Sequence, residues 1–212
     1  MLKKIIYSLA VLLFSVQFTT AQNNAQAEQI LTDLLSSART HAIKTNFRLI
    51  AKEKSNPGGI VSSGTFTLKG NKFVLEMTEM KAWFDGKTQW SYMTQSNEVS
   101  ITEPTEKELS ETNPMAILSG FKTKCIIRFA KTKSNQNHCI EMIPKVKSKG
   151  ITKIEVQVNK ANGNLVSIKL TNTNGTNTLL TLNNFQKNVN ISDNIFVFNK
   201  NKYKGIAIND LR

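Results

Sequence analysis

Histidine, cysteine and proline are all scarce in this 212-residue chain. His41 and His138 are the only imidazoles, and Cys125 and Cys139 the only thiols. Their placement removes most bond chemistry from consideration. His41 closes an amphipathic segment, where a cation suits the negative end of a helix. His138 and Cys139 are neighbours on an alternating segment, so their side chains point to opposite faces. A nucleophilic Cys–His pair needs the imidazole within hydrogen-bond reach of the thiol, and this placement disfavours it. Metal-ligand spacings, a glycine-rich phosphate loop and a nucleophile elbow are all missing. Glu106 and Glu108 sit in a charged helix start and read as a solvated face rather than a catalytic carboxylate pair. The sequence therefore offers no catalytic residue, no metal site and no cofactor.

Long apolar runs are also lacking. Ile5 to Phe14 is the longest, and it falls short of the roughly 20 residues that span a bilayer. Lys3 and Lys4 precede it, and Thr19-Thr20-Ala21 supplies small residues before a cut expected between Ala21 and Gln22. Residues 1–21 thus read as an export signal, with a retained anchor as the alternative. No cysteine follows the cut, so the new N-terminus offers no acylation site. No proline-, glycine- or serine-rich linker and no internal repeat divides the remainder, and residues 22–212 read as one domain.

Acidic residues are few. The formal charge is +13, and the chain stays strongly basic without Lys3 and Lys4. The lysines are scattered rather than clustered, which argues against nucleic acid. A solvated, lysine-rich surface is the first reading, ahead of a dedicated basic site for anionic lipid headgroups or an acidic partner. The two cysteines of an exported protein invite a disulfide. Cys125 to Ala130 and His138 to Ile143 read as strands joined by the polar turn Lys131 to Asn137. A turn centred near Ser134 sets Cys125 opposite a residue several positions beyond Cys139, outside the ~7 Å Cα separation a disulfide tolerates. Free thiols are expected, although a bulge or another pairing would reverse this.

What is present is alternation. From Gly64 to Pro104, apolar and polar residues alternate in short runs that end at Gly70-Asn71, Asp85-Gly86 and Ser96-Asn97. Asp-Gly between such runs is a hairpin signal, because both central residues of a type I′ turn need positive φ. The segment predicts an antiparallel meander with one face carrying Phe66, Leu68, Phe73, Leu75, Met77, Trp90 and Tyr92. An ordinary sheet core and a surface for an apolar guest both fit, and aromatic and Met side chains adapt to irregular guests.

Around the meander, Ala25 to Ala42 predicts a helix with Ala27, Ile30, Leu31, Leu34, Leu35 and Ala38 as its stripe. Ile43 to Ala51 predicts a strand with Ile43, Thr45, Phe47, Leu49 and Ala51 on one face. Pro104 to Leu109 opens a short helix. Asn113 to Gly120 predicts another, with Asn113 as cap, Pro114 at the first position and Gly120 at the exit. Ile151 to Lys160 and Asn164 to Thr171 form a hairpin at Asn162-Gly163, and Asn174-Gly175 joins the next pair. Ile195 to Phe198 and Gly205 to Ile208 read as late edge strands. So many antiparallel strands must curl, and interrupting helices are natural caps.

The run Gly64-Thr65-Phe66-Thr67-Leu68-Lys69, then Phe73, then Asp85-Gly86-Lys87-Thr88-Gln89-Trp90-Ser91-Tyr92 and Asn97-Glu98-Val99 resembles the outer-membrane lipoprotein carrier family of the LolA type. Asn113-Pro114, Asn162-Gly163 and Phe196-Val197-Phe198 fit it too. The resemblance covers most of residues 22–212. It implies a mainly β fold with helices: an incomplete antiparallel β-barrel, a curled sheet, covered by a helical lid. It implies a monomeric periplasmic carrier chaperone, without cofactor or catalysis, that binds the acyl chains of lipoproteins. Cargo would come from an inner-membrane ABC transporter and go to the outer membrane or its receptor. On this picture Phe47, Phe66, Phe73, Leu75, Trp90 and Tyr92 line the cavity. Leu31, Leu34 and Leu35, with Met115, Ile117 and Leu118, form the lid. One departure stands out. The family's turn before the Phe carries an Arg-Pro pair whose Arg links barrel to lid; here Lys69 precedes the turn and Gly70 stands in place of that Arg. Arg48 is offered as a substitute contact. A carrier of another lipid or glycolipid, or a lipoprotein-sensing module, remain alternatives on the same scaffold.

Overall fold

Apolar residues recurring every three or four positions from Ala27 to Ala38 build a helix, α1, over residues 22–40 of the computed structural model. The structure describes residues 22–212 apart from 54, 148 and 149 and the side chains of 110–112. The export-signal reading of residues 1–21 lies outside the described residues. The chain turns at His41, whose backbone N–H donates to the Ser37 carbonyl. β1 (Ile43–Lys52) follows at once, with the expected alternation of Ile43, Thr45 and Phe47 buried against Lys44 and Arg48 exposed.

Eleven further strands complete one sheet. They are β2 (Ile60–Lys69), β3 (Lys72–Met77), β4 (Met80–Phe84), β5 (Gln89–Met93), β6 (Glu98–Thr102), β7 (Cys125–Phe129), β8 (Asn137–Pro144), β9 (Ile151–Asn159), β10 (Leu165–Asn172), β11 (Asn177–Lys187) and β12 (Ala207–Asp210). Their order is β12-β6-β5-β4-β3-β2-β1-β11-β10-β9-β8-β7. β1 sits centrally, between β2 and β11. Neighbours are antiparallel except β12, which lies parallel to β6. β7 and β12 are the two edges and do not pair, so the sheet curls without closing, as the expected incomplete barrel requires.

Local chemistry explains the hairpins, though not always by the expected turn. Lys69 pairs with Lys72, leaving Gly70-Asn71 in the turn with positive φ at Gly70 alone. Phe84 pairs with Gln89, so Asp85 to Thr88 form a longer loop than a type I′ turn. There the Asp85 carboxylate accepts from the backbone N–H groups of Lys87 and Thr88. Asn159 does the same for Ala161 and Asn162 before Gly163. Asp and Asn thus act here by folding back on their own backbone rather than by adopting positive φ. Gly64 answers a different need: a Cβ there would lie 2.0 Å from the Glu76 carbonyl oxygen.

Between β6 and β7 lie α2 (Glu106–Thr112) and α3 (Pro114–Lys122). Thr105 and Glu108 form a reciprocal capping box on α2, and hydrogen bonds from Thr105 hold the Glu108 carboxyl below its ordinary range. Asn113 caps α3 through Met115 N–H, with Pro114 at the first position as expected. α3 does not stop at Gly120. That glycine has open space around it, and the helix runs on through Lys122.

The C-terminal end is the clearest correction. Ile195 to Phe198 is not an edge strand. Asp193–Phe196 form a 3-10 turn and Lys200–Lys202 another. Tertiary packing overrides the local alternation, because Phe196 is fully buried against Val74 and Trp83. Residues 189–206 form a strap across the outer face of the sheet. The last strand, β12, starts two positions later than the expected Gly205. Cys125 pairs with Pro144, five positions past Cys139, and both thiols are free.

The core has two parts on the inner face. α1 and α3 cover β7–β10 through Leu31, Leu34, Leu118, Ile140, Met142 and Ile154. Phe47, Phe66, Leu68, Phe73 and Phe84 form the other part, and Leu180 and Leu182 on β11 touch both. None of the described helices is long and apolar enough to cross a membrane.

Candidate functional site

The two core parts do not close over each other, and an apolar cavity of about 750 Å³ is left between the sheet and α3. Phe47 and Leu49 come from β1, Phe66 from β2 and Leu75 and Met77 from β3. Ile168 and Leu170 on β10 and Leu180 and Leu182 on β11 form the other wall. Pro114, Ile117 and Phe121 on α3 form the cover. Alternation puts these residues together: each wall contributes every second residue of a strand, so one face of each strand faces the cavity. Lys107, Asn172 and Thr178 supply its polar side chains. The volume lies within the roughly 300–1,000 Å³ of pockets that bury a ligand.

The expected wall residues divide three ways. Phe47, Phe66 and Leu75 line the cavity. Phe73 is fully buried beside it, its ring 5.8 Å from Phe66 and 5.5 Å from Phe84, so it supports the wall rather than forming it. Trp90 and Tyr92 are on the other face of the sheet. Ala82 and Phe84 face inward on β4, which turns Trp83 outward, and Trp90 pairs with Trp83. There they join Trp83, Phe198 and Tyr203 under the C-terminal strap. Alternation alone assigns them to the inner face because it does not show which phase of β4 and β5 the loop Asp85 to Thr88 delivers.

Among the expected lid residues, Ile117 lines the cavity. Met115 packs against both core parts. Leu118, Leu31, Leu34 and Leu35 are buried in the α1–α3 core and do not line it. α1 is therefore part of the core rather than of the cavity's cover, and α3 is the helix that covers the cavity. The two helices are tied together: Lys122 Nζ donates to Thr32 Oγ1 at 2.7 Å, and Arg39 Nη2 to Ser119 Oγ at 3.3 Å. Arg48 cannot serve as the substitute lid contact. It follows Phe47 on β1 and is exposed on the opposite face. At Gly70, a Cβ would come 4.0 Å from the Arg39 carbonyl, so the turn that carries the family's Arg does lie beside α1.

Lys69, the other basic residue of that turn, points outward. Lys69 and Lys72 each reach a carboxylate oxygen of Asp193 at 2.6 Å, and Lys69 also donates to the Ile191 carbonyl. These contacts hold the Asp193 carboxyl well below its ordinary value, at about 2. The histidines stay apart from the cavity. His41 Nδ1 is 2.9 Å from the Ser37 carbonyl at the end of α1. His138 stands 6.0 Å from the Phe129 ring, and burial lowers its pKa.

The cavity-lining residues that the sequence did not single out are mainly on β10 and β11. Ile168, Leu170, Leu180 and Leu182 lie on segments already read as strands, and their two-residue spacing was the available signal.

The family described as "Outer membrane lipoprotein carrier protein LolA" matches residues 18–174. No curated protein matches the chain in sequence. Among solved structures, an uncharacterized conserved protein from Thermus thermophilus superposes with a TM-score of 0.57 at 11% identity, covering 87% of this chain and 99% of its own. That likeness shows the fold. A LolA superfamily protein from Nitrosomonas europaea gives 0.42 at 12% identity, covering 81% and 97%. A domain named for outer membrane lipoprotein sorting, from Vibrio parahaemolyticus, gives 0.42 at 18%, covering 86% and 100%.

Proposed function

The chain belongs to the outer membrane lipoprotein carrier protein (LolA) family, and we propose that it works as such a carrier. It binds the acyl chains of a lipoprotein in the apolar cavity and ferries them through the periplasm to the outer membrane. The observation that carries this reading is the cavity of about 750 Å³, walled by Phe, Leu, Ile and Met side chains and covered by α3. Acyl chains are driven into such a space because each CH₂ withdrawn from water contributes about 0.8 kcal/mol. The open sheet supports release as well as uptake, since α3 can shift without breaking a closed barrel ladder. A ligand that meets two positions of the cover with different affinity is what moves cargo onward. Export through cleavage after Ala21, an inner-membrane ABC transporter as donor and the outer membrane or its receptor as acceptor complete the proposal.

Transfer tests it. The protein is loaded with a fluorescent triacylated peptide and mixed with outer-membrane vesicles, and the label is followed. Movement of the label to the vesicles is expected. Equal binding of acylated and deacylated peptide would remove the proposal.

A further inference from the structure

On the outer face of the sheet, a second cavity of about 400 Å³ lies under the C-terminal strap. Its chemistry is the reverse of the first. Lys44, Glu76, Lys81 and Trp83 form the floor, and Lys202 and Tyr203 belong to the roof. The roof is fastened on both sides. Asp193 is clamped by Lys69 and Lys72 on one side. On the other, Asn97 Nδ2 donates to the Lys204 carbonyl, and β12 then pairs with β6. Trp83 and Tyr203 line one wall, their ring centroids 6.1 Å apart, and Phe198 packs on Trp83 at 5.4 Å.

The charges in this cavity do not balance. Lys81 Nζ bonds Glu76 Oε1 at 3.1 Å, and those two neutralise one another. The ammonium groups of Lys44 and Lys202 have no hydrogen-bond or ion-pair partner among the described residues. Two exposed, unpaired lysines lining one cavity together with Trp83 and Tyr203 favour an anion. The cations are lysines and not arginines. Each is a point charge with three rotatable donors, able to serve the several oxygens of a phosphoryl group at once. Asn194 and Asn199 in the roof add neutral polar groups for the remainder of a ligand.

We propose that this cavity binds a phosphate ester, with the phosphoryl group between Lys44 and Lys202 and the organic part against Trp83 and Tyr203. The ester is either a soluble molecule or the headgroup of a phospholipid. The site is separated from the apolar cavity by the sheet itself, and the proposal does not rest on lipoprotein carriage.

The test uses sn-glycerol 3-phosphate and inorganic phosphate as probes, with calorimetry and tryptophan fluorescence as readouts. Vesicles of phosphatidylglycerol and of phosphatidylcholine form a second arm. Saturable binding of glycerol phosphate is expected, weakened at least about tenfold in Lys44→Gln/Lys202→Gln by loss of two charge-assisted contacts. The control Lys52→Gln/Lys131→Gln removes the same charge from exposed positions outside the cavity and should leave binding unchanged. If phosphatidylglycerol vesicles compete with glycerol phosphate, the source is a lipid headgroup. If they do not, it is a soluble ester. No saturable binding of either free probe, or equal weakening in the control, overturns the proposal.

Discussion

Lys122 at the end of α3 donates a 2.7 Å hydrogen bond to Thr32 in the middle of α1. That bond joins the element that covers the apolar cavity to one that packs only in the core. Lys122→Met should therefore loosen the cover with only a small loss of stability, about 1 kcal/mol for a single part-buried hydrogen bond. A bound acylated probe should dissociate faster from the variant, as stopped-flow displacement would show. An unchanged off-rate would mean that the cover moves without breaking this contact.

Leu75 and Trp90 provide a paired comparison. Leu75 lines the apolar cavity, whereas Trp90 packs on the outer face. Leu75→Asn should weaken binding of acylated peptide by about tenfold or more, since an unpaired amide buried against acyl chains costs about 1–3 kcal/mol. Trp90→Leu should lower the melting temperature and leave that affinity within error. Calorimetric titration of both variants decides it, and a loss of affinity in Trp90→Leu would contradict the assignment of faces.

At Gly64 the neighbouring strand leaves no room for a side chain. A Cβ there meets the Glu76 carbonyl at 2.0 Å and the Phe47 ring at 3.1 Å. The nearer contact is backbone and cannot rotate away, so Gly64→Ala should cost about 1–3 kcal/mol, as overpacked sites with backbone shifts do. Chemical denaturation would show the loss, and a stability near that of the parent would mean the two strands can separate at little cost.

Asp193 gives the strap one acid-sensitive contact. Its carboxyl is held at about 2 in the folded protein by hydrogen bonds from Lys69 and Lys72, below its ordinary 3.8. A lowered carboxyl favours folding above the ordinary value, and that contribution fades as pH falls through about 2. Tryptophan fluorescence should stay constant from neutral pH to about 4 and change only below it. In Asp193→Asn the acid transition attributable to the strap should vanish. A strap signal that changes near neutral pH would point to another group.

Cys125 is buried, and burial pushes its thiol up. It should resist alkylation in the native protein near neutral pH and react only on unfolding. Reducing agent should leave the melting temperature unchanged, and denatured protein should titrate both thiols. A shift on reduction would reveal a disulfide that the pairing of Cys125 with Pro144 excludes.

The inner-face pattern was legible because alternation and helical spacing are local. The stripe Leu31, Leu34 and Leu35, the buried positions of β1 and the cap at Asn113 all depend on near neighbours in the chain. Trp90 and Tyr92 fall on the unexpected face because nothing local records the phase in which a loop delivers a strand. The Asp85 carboxylate folds over Lys87 and Thr88, and that four-residue loop decides the matter. Ile195 to Phe198 alternates like a strand, yet Phe196 is drawn into a pocket made by Val74 and Trp83, more than a hundred residues away. Contacts at that separation leave no periodic trace. The outer cavity was invisible for the same reason, since Lys44, Lys81 and Lys202 come from three distant segments.

On β3, Leu75 faces the apolar cavity while its neighbour Glu76 faces the lysine-lined one. The sheet is thus a partition one residue thick, and each compartment owns alternate letters of the same strand. Sliding β3 by a single position against β2 would carry Glu76 into the greasy side and expel Leu75 to the charged side. The turn at Gly70-Asn71, where Lys69 meets Lys72 with nothing to spare, is therefore the index mark that assigns contents to both chambers.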